Sequence, residues 1–251
     1  MPSTGPTVRV GALTIGQSPR PDIVPELTTL VCSRVRPDAP TVTFIEAGAL
    51  DGLDRDALAA LAPAPGESRL VTRLADGTEV KVSPRRLEPL LERAASRLTA
   101  AEVRLVALLC TDPLPGFAAE TAVIRPAEAL RRAVAVRGAV QRLGVLVPSP
   151  DQVEEAERSW KKSAGAVKAV GVSPYGGPRS ISGDPRAVVS AVADAARALA
   201  VWDADLIVLD CLGYTLEMAE AARSAAGRPV LTARTALAEA LAAALAPEAR
   251  P

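Results

Sequence analysis

The sequence predicts an α/β fold of two similar lobes, each a mainly parallel sheet flanked by helices, with a cleft between them. Short apolar runs alternate along the chain with stretches of helical periodicity, which is the pattern of parallel strand–helix units. Residues 103–112 and 205–214 each contain a buried-type strand that ends on a cysteine close to an aspartate. The two cysteines, Cys110 and Cys211, are 101 positions apart (211 − 110). Two comparable blocks therefore each close on a strand that ends in a thiol.

The chain order supports a sheet in each lobe. A first strand is predicted at residues 8–15, followed by a helix that Pro21 and Asp22 begin and that runs to about residue 34. Asp76-Gly77, inside the alternating segment 69–82, is a strong hairpin signal. Further strands are expected at residues 42–45, 142–147, 166–172 and 229–232, and further helices at 126–136 and 215–226, after Ser83-Pro84, Ser149-Pro150 and Asp184-Pro185, and at the C-terminus.

We expect the first lobe to contain residues 1–112 and 228–251, and the second to contain residues 113–227. The length of 251 residues is ample for a hydrophobic core, and 49% hydrophobic with 23% charged residues is a globular composition. Lys+Arg and Asp+Glu are equal at 29 each, so charge gives no argument for nucleic acid or a membrane surface as partner.

Three cysteines are too few for a disulfide framework, which favours a reducing compartment. The first residues contain neither an apolar nor a basic signal segment, and no apolar run approaches the ~20 residues of a membrane span. We therefore expect a cytoplasmic protein. The sequence leaves the oligomeric state open, including a homodimer.

Histidine is absent from the sequence, which excludes Ser-His-Asp and Cys-His catalysis and the usual zinc sites. The loop after the first strand contains one glycine and matches neither dinucleotide-binding nor P-loop motifs. We therefore predict neither a metal nor a cofactor. Acid–base chemistry has to rely on Cys, Asp, Glu, Lys, Arg or Tyr.

The loop of Gly16, Gln17, Ser18 and Arg20 lies between the first strand and a helix N-terminus, a natural place for an anion. Arg20 could hold a carboxylate in a bidentate pair. The alternative is that Ser18 and Arg20 are only turn residues. Both interpretations stay open at this level.

The cysteines are the candidate catalytic groups. Ligands of open α/β sheets bind beyond the carboxyl ends of strands, where Cys110 and Cys211 are expected. A thiolate can remove a proton from a carbon beside a carboxylate while a thiol on the opposite face returns one. Alternation along the strand should turn Asp210 away from Cys211. The alternative is that both thiols only pack the core, as we expect for Cys32 inside the first helix.

The sequence resembles the AroM family in residues 13–20, 69–82, 143–148 and 208–214. The motifs Thr-Ile-Gly-Gln-Ser-Pro-Arg (14–20) and Asp-Cys-Leu-Gly (210–213) carry the resemblance. Its arrangement of strands and cysteines is in turn similar to the aspartate/glutamate racemase superfamily of two-lobed, cofactor-free enzymes. The resemblance implies that Cys110 and Cys211 are the two catalytic cysteines and that their neighbours border the substrate: Thr111, Asp112, Leu212, Gly213 and Tyr214.

This sequence departs from the usual racemase pattern on both sides of the second cysteine and after the first. Thr111 and Asp112 stand where racemases usually have Asn and Thr, and Asp210 and Leu212 stand where they usually have Gly and Thr. Three functions stay open. They are a racemase or isomerase of a small carboxylic acid, a non-catalytic protein that binds a small acid and is linked to aromatic amino acid metabolism, and a thiol redox sensor.

Overall fold

The computed structural model describes residues 7–35, 41–112, 114, 121–176 and 184–246. Contacts divide the chain into two compact units. The first contains the residues up to Asp76, Val80–Pro126 and the residues from Leu237 onward, and the second contains Gly77–Glu79 and Ala127–Ala236.

The first unit is built on a four-stranded sheet in the order β2-β1-β5-β6, with all paired strands parallel. Strands β3 and β4 form a separate two-stranded sheet around Gly77, which has a positive φ of 86°. This confirms the predicted hairpin. The elements are β1 (Thr7–Thr14), α1 (Val24–Cys32), β2 (Thr41–Gly48), α2 (Arg55–Ala60), β3 (Leu70–Arg73), β4 (Glu79–Val82), α3 (Pro84–Ala100), β5 (Leu105–Leu108) and β6 (Val123–Ile124).

The second unit is built on another four-stranded parallel sheet, in the order β10-β9-β7-β8. A short 3-10 helix at Pro150–Gln152 connects the first strand of this sheet to the α-helix that follows it. The elements are α4 (Pro126–Ala135), β7 (Arg142–Val147), α5 (Val153–Trp160), β8 (Ala166–Gly171), α6 (Pro185–Val201), β9 (Leu206–Leu209), α7 (Leu216–Ala226), β10 (Val230–Thr232) and α8 (Ala233–Leu245).

The two sheets have the same topology when β1, β2, β5 and β6 are matched with β7, β8, β9 and β10. Leu13 pairs with Leu108 in the first sheet and Leu146 pairs with Leu209 in the second, so β5 and β9 match at an offset of 101 (209 − 108). The preceding helices have the same offset, because α3 and α6 are both 17 residues long and begin at Pro84 and Pro185 (185 − 84 = 101). The predicted similarity of two blocks is thus a residue-by-residue match across helix and strand.

The matched helices begin and pack in the same way. The side chains of Ser83 and Asp184 accept hydrogen bonds from backbone N–H groups of the first helical turn, which compensates for N–H groups that have no helical partner. Their buried faces are also matched: Leu87, Leu91, Ala94, Ala95 and Leu98 in α3, and Val188, Val192, Ala195, Ala196 and Leu199 in α6.

Glycine allows each of these helices to approach the central strand closely. A Cβ atom on Gly11 would lie 3.0 Å from Cδ1 of Leu98, and one on Gly144 would lie 2.9 Å from Cδ1 of Leu199. Both distances are shorter than an ordinary carbon–carbon contact. The helix position that packs on the strand is therefore the same in both units.

Two strands belong to a different sheet from the one that the expected lobe boundaries imply. Strand β10 pairs with β9 and belongs to the second sheet, although residues 228–251 were expected in the first lobe. Strand β6 pairs with β5 in the first sheet, although residues from 113 onward were expected in the second lobe. Each unit thus has a strand after its cysteine-bearing strand, and helix α8 joins the first unit only from Leu237.

Two details of the first helix were predicted wrongly. Residues 21–23 form a turn in which the carbonyl of Arg20 accepts hydrogen bonds from Ile23 and Val24, so the helix begins at Val24. Cys32 is the last residue of this helix and is exposed. Its position, one residue after the buried Val31, turns it away from the core because successive helical side chains are about 100° apart.

Among the described residues, no helix has both the length and the apolar character that crossing a bilayer requires.

Candidate functional site

Cys110 lies just beyond the carboxyl end of an inner strand of the first sheet. Strand β5 ends at Leu108, and the N–H of Leu109 still donates to the carbonyl of Leu13 at 2.7 Å. Cys110 is 7% exposed and packs in the same apolar cluster as Leu108 and Ile15. The thiol therefore lies on the face of the sheet that α3 covers.

Cys211 has the matched position in the second sheet. Strand β9 ends at Leu209, and the N–H of Asp210 donates to the carbonyl of Leu146 at 2.9 Å. Cys211 is half-buried and packs against the apolar cluster that contains Leu209 and Tyr214. Both thiols are thus two residues beyond the end of matched strands, on matched sheet faces.

Asp210 points to the other face of its sheet, as strand alternation predicts. One of its carboxylate oxygens, Oδ2, accepts a hydrogen bond of 2.7 Å from Nε1 of Trp160, a 1% exposed side chain at the end of α5. Leu109 occupies the matched position in the first unit and is buried. The carboxylate beside Cys211 therefore has no counterpart at this position in the other unit.

The turn after Cys211 is held from several directions. The N–H of Gly213 donates to the sulfur of Cys211 at 3.3 Å. Arg234, which is 1% exposed, donates from Nε to the carbonyl of Leu212 at 2.7 Å and from Nη2 to that of Gly213 at 3.4 Å. The phenol of Tyr214 donates to the carbonyl of Val172 at 2.7 Å.

The loop after β8 packs on the same turn. A Cβ atom on Gly213 would lie 2.6 Å from Cγ of Pro174 and from the phenol oxygen of Tyr175, so no side chain fits at this position. Burial raises the pKa of Tyr214 well above its ordinary value, and the nearby charges of Cys211 and Asp210 raise it further. Tyr214 therefore stays neutral and acts as a hydrogen-bond donor.

In the first unit, Asp51 organises the loop after β1. Its carboxylate accepts hydrogen bonds from the N–H and the hydroxyl of Ser18, at 2.7 and 2.8 Å, and from the N–H of Gly48 at 2.7 Å. Arg97 of α3 donates to the same carboxylate at 2.9 Å. Ser18 is thus fixed at the carboxyl edge of the sheet by groups of this unit.

Arg20 is buried and forms a bidentate ion pair with Asp22. Its Nε and Nη2 donate to the two carboxylate oxygens at 2.9 and 2.8 Å, and Nη1 donates to the hydroxyl of Thr14 at 2.9 Å. Burial raises the pKa of Asp22, but the guanidinium of Arg20 and the charge of Arg73 outweigh it, so the pKa lies below its ordinary value. This stabilisation is complete above the ordinary carboxyl pKa and is lost as the pH falls through the lowered one.

Gln17 ties the loop to the hairpin. Its N–H donates to the carbonyl of Arg73 at 3.1 Å, and its side-chain oxygen accepts from the N–H of Ala75 at 2.8 Å. A Cβ atom on Gly16 would lie 2.3 Å from the carbonyl oxygen of Arg73, so the close approach requires glycine. The predicted ligand loop is therefore a tightly built part of the first unit.

The structure thus assembles the predicted residues in two groups. Gly16, Gln17, Ser18 and Arg20 lie together at the carboxyl end of β1, and half-buried Thr111 and Asp112 follow Cys110 at the end of the neighbouring strand. Leu212, Gly213 and Tyr214 are buried in the turn after Cys211. Contact of any of these side chains with a substrate stays a prediction.

The sequence interpretation missed three residues that hold these groups: Asp51, Trp160 and Arg234. Arg234 left a signal, because it is a charged residue near the start of the Ala/Leu-rich helix α8. Asp51 and Trp160 left none, since their partners are 33 and 50 positions away in sequence. Within the described ranges, no group of three or more Cys, Asp or Glu side chains is arranged to hold a metal ion.

The fold, with a four-stranded parallel sheet in each unit, is similar to that of several solved structures. The chain is similar to the maleate isomerase Iso from Pseudomonas putida S16, with 19% identity and a TM-score of 0.60 over 95% of this chain and 93% of that chain. For an allantoin racemase from Klebsiella pneumoniae the values are 15%, 0.60, 95% and 87%. For an arylmalonate decarboxylase they are 18%, 0.55, 94% and 92%.

The model of the AroM protein family matches residues 10–245. The chain therefore belongs to the AroM family, as the motifs at 14–20 and 210–213 indicated. No curated protein matches the sequence. At identities of 15–19% the solved structures establish the fold.

Proposed function

We propose that this protein is a cofactor-independent racemase or isomerase of a small carboxylic acid, with Cys110 and Cys211 as its acid–base pair. One observation carries the proposal: the two thiols occupy matched positions, each two residues beyond a matched inner strand, on matched faces. Ligands of such sheets bind at the carboxyl ends of the strands. Packing alone does not require a thiol at both of these positions.

In the proposed reaction, the thiolate of one cysteine removes the proton from the carbon beside the carboxylate, and the thiol of the other returns a proton to the opposite face. Sulfur and carbon exchange one proton on each side, so the electrons balance without a cofactor. The reverse reaction exchanges the two roles. The proposal requires both sulfurs to reach the same carbon, and it places the protein in the cytoplasm, where thiols stay reduced.

The test is incubation in heavy water with a panel of amino, hydroxy and dicarboxylic acids, followed by mass spectrometry for deuterium and chiral analysis of the product. We expect one class of acid to take up deuterium. Cys110→Ser and Cys211→Ser should each lower inversion about 10²–10⁴-fold, because a serine hydroxyl is too weak an acid to replace the thiolate. Cys32→Ser is the matched control and should leave the rate unchanged, since Cys32 is exposed on α1.

Deuterium uptake in no acid, or full inversion in both serine variants, would contradict the proposal. One observation favours a second function, a non-catalytic protein that binds a small acid and serves regulation. Asp210 is next to Cys211, and a thiolate there would put two negative charges in adjacent residues. An acid that raises the melting temperature without exchanging its proton would support this second function.

A further inference from the structure

Arg234 contacts the peptide group that contacts the sulfur of Cys211. Its Nε donates to the carbonyl oxygen of Leu212 at 2.7 Å, and the N–H of the same peptide, which belongs to Gly213, donates to the sulfur at 3.3 Å. Because a trans peptide is planar, its C=O and N–H point in opposite directions. The guanidinium and the sulfur therefore lie at opposite ends of one peptide dipole.

This arrangement has an electrostatic consequence. A cation on the carbonyl side polarises the peptide and makes its N–H a stronger donor, since hydrogen bonds in a chain reinforce one another. A stronger donor to sulfur stabilises the thiolate more than the thiol, because the negative charge accepts the hydrogen bond better. Arg234 is 1% exposed, so water screens its charge little.

We propose that Arg234 is a positioning residue that acts through the Leu212–Gly213 peptide to favour the thiolate of Cys211. The strand register identifies the position that matches Arg234 after the last strand of the first sheet. Val123 of β6 and Val230 of β10 occupy matched register positions, so Ala127 (127 − 123 = 4) matches Arg234 (234 − 230 = 4). The helix that follows β6 thus has alanine, not arginine, at the position that matches Arg234.

Other groups act on the same sulfur and set the direction of the test. The carboxylate of Asp210 precedes it in the chain, and Cys211 and Asp210 interact electrostatically with buried Tyr214. Tyr175 lies over Gly213. The charge of Asp210 disfavours the thiolate, and the charge of Arg234 favours it. Removing the charge of Asp210 should therefore raise the reactivity of Cys211, and removing that of Arg234 should lower it.

The inference rests on the proposed function and deepens it, because it says which residue favours the thiolate of Cys211. Its test needs no substrate. Cys110, Cys211 and Cys32 are alkylated with iodoacetamide between pH 5 and 10, and each peptide is quantified by mass spectrometry. Arg234→Gln keeps a donor but removes the charge. We expect the pH midpoint of Cys211 alkylation to rise and its rate at pH 7 to fall about tenfold, because the free-energy difference between charge-assisted and neutral hydrogen bonds corresponds to about that factor.

Several variants make the result specific. Arg234→Lys should restore part of the wild-type rate, and Asp210→Asn should accelerate alkylation of Cys211. Arg228→Gln is the control. Arg228 is partly exposed and pairs with Asp203, and both residues precede strands β10 and β9, whereas Cys211 follows the carboxyl end of β9. Cys110 in the same sample is the internal reference and should keep its profile. An unchanged Cys211 profile in Arg234→Gln would overturn the inference.

Should Arg234→Gln fail to fold, nuclear magnetic resonance of the unmutated protein decides the question. The Nε–H of Arg234 and the amide of Gly213 should shift with the same pH midpoint as the Cys211 thiol, and both shifts should disappear in Cys211→Ala. Resonances that do not follow that midpoint would overturn the inference. A tuned thiol without proton exchange would leave this inference intact and refute only the proposed reaction.

Discussion

The two units share a scaffold but fix the loops at its carboxyl edge by different chemistry. In the first unit, carboxylates hold the loop after the first strand, with Asp51 binding Ser18 and Asp22 binding Arg20. In the second unit, Arg234 and Trp160 hold the residues around the cysteine. The comparison teaches that the packing of helix on strand is repeated, whereas the polar contacts described at the carboxyl ends of the two sheets use different side chains.

The largest expected effect is in the first unit. Arg20→Met should lower the free energy of unfolding by about 3 kcal/mol, because it leaves the mostly buried carboxylate of Asp22 without its bidentate partner. Urea denaturation measures this change. Arg9→Met is the control and should change stability by less than about 1 kcal/mol, since its ion pair with Glu102 is exposed.

This result would also test the role that the sequence suggests for Arg20, which is to hold the carboxylate of a ligand in a bidentate pair. A variant that keeps wild-type stability but loses affinity for carboxylates would favour that original role. A large loss of stability would favour a structural role through Asp22, and a ligand would then have to compete with an internal carboxylate for the guanidinium.

Glycine substitutions test the repeated packing. Gly144→Ala and Gly11→Ala should each cost about 1–3 kcal/mol, because the added methyl group would lie within 3.0 Å of Leu199 or Leu98. Leu199→Ala should relieve the first clash, so the double variant should be less unstable than the sum of the two single ones. Additive costs would mean that the close approach is not what makes glycine necessary.

Trp160→Phe should have the smallest effect, about 1–2 kcal/mol, since it removes one hydrogen bond to Asp210 and keeps an aromatic ring in the core. Thermal unfolding followed by circular dichroism measures the loss. In an Asp210→Leu background, which copies the matched Leu109, the same substitution should cost less. An equal cost in both backgrounds would show that the ring, rather than the hydrogen bond, stabilises the protein.

Local chemistry made much of this fold predictable. Ser83 and Asp184 signal helix starts through their own side chains, and Asp76-Gly77 signals a turn, so each was found from a few neighbouring residues. The cysteines were found at strand ends because an apolar run stops there. Cys32 was misjudged because an apolar neighbourhood in sequence does not fix the side of the helix on which one residue lies.

The contacts around the thiols could not be predicted because they join distant segments. Arg234 reaches residues 21 and 22 positions earlier, and Trp160 reaches one 50 positions later. The boundary between the units was misplaced for a related reason. A three-residue strand such as β10 carries too little pattern to indicate which sheet it joins, and only its pairing with β9 decides.

Because α3–β5 and α6–β9 match at an offset of 101 residues, the effect of one substitution can be compared at two matched positions of the same chain. A substitution at Leu98 and the same substitution at Leu199 report on one kind of environment twice, within one molecule and under one set of conditions. Tolerance to substitution along residues 83–108 should therefore correlate with tolerance along residues 184–209. The correlation should break just beyond the matched strands, first at Leu109 and Asp210, because a buried leucine in one unit corresponds there to a hydrogen-bonded carboxylate in the other.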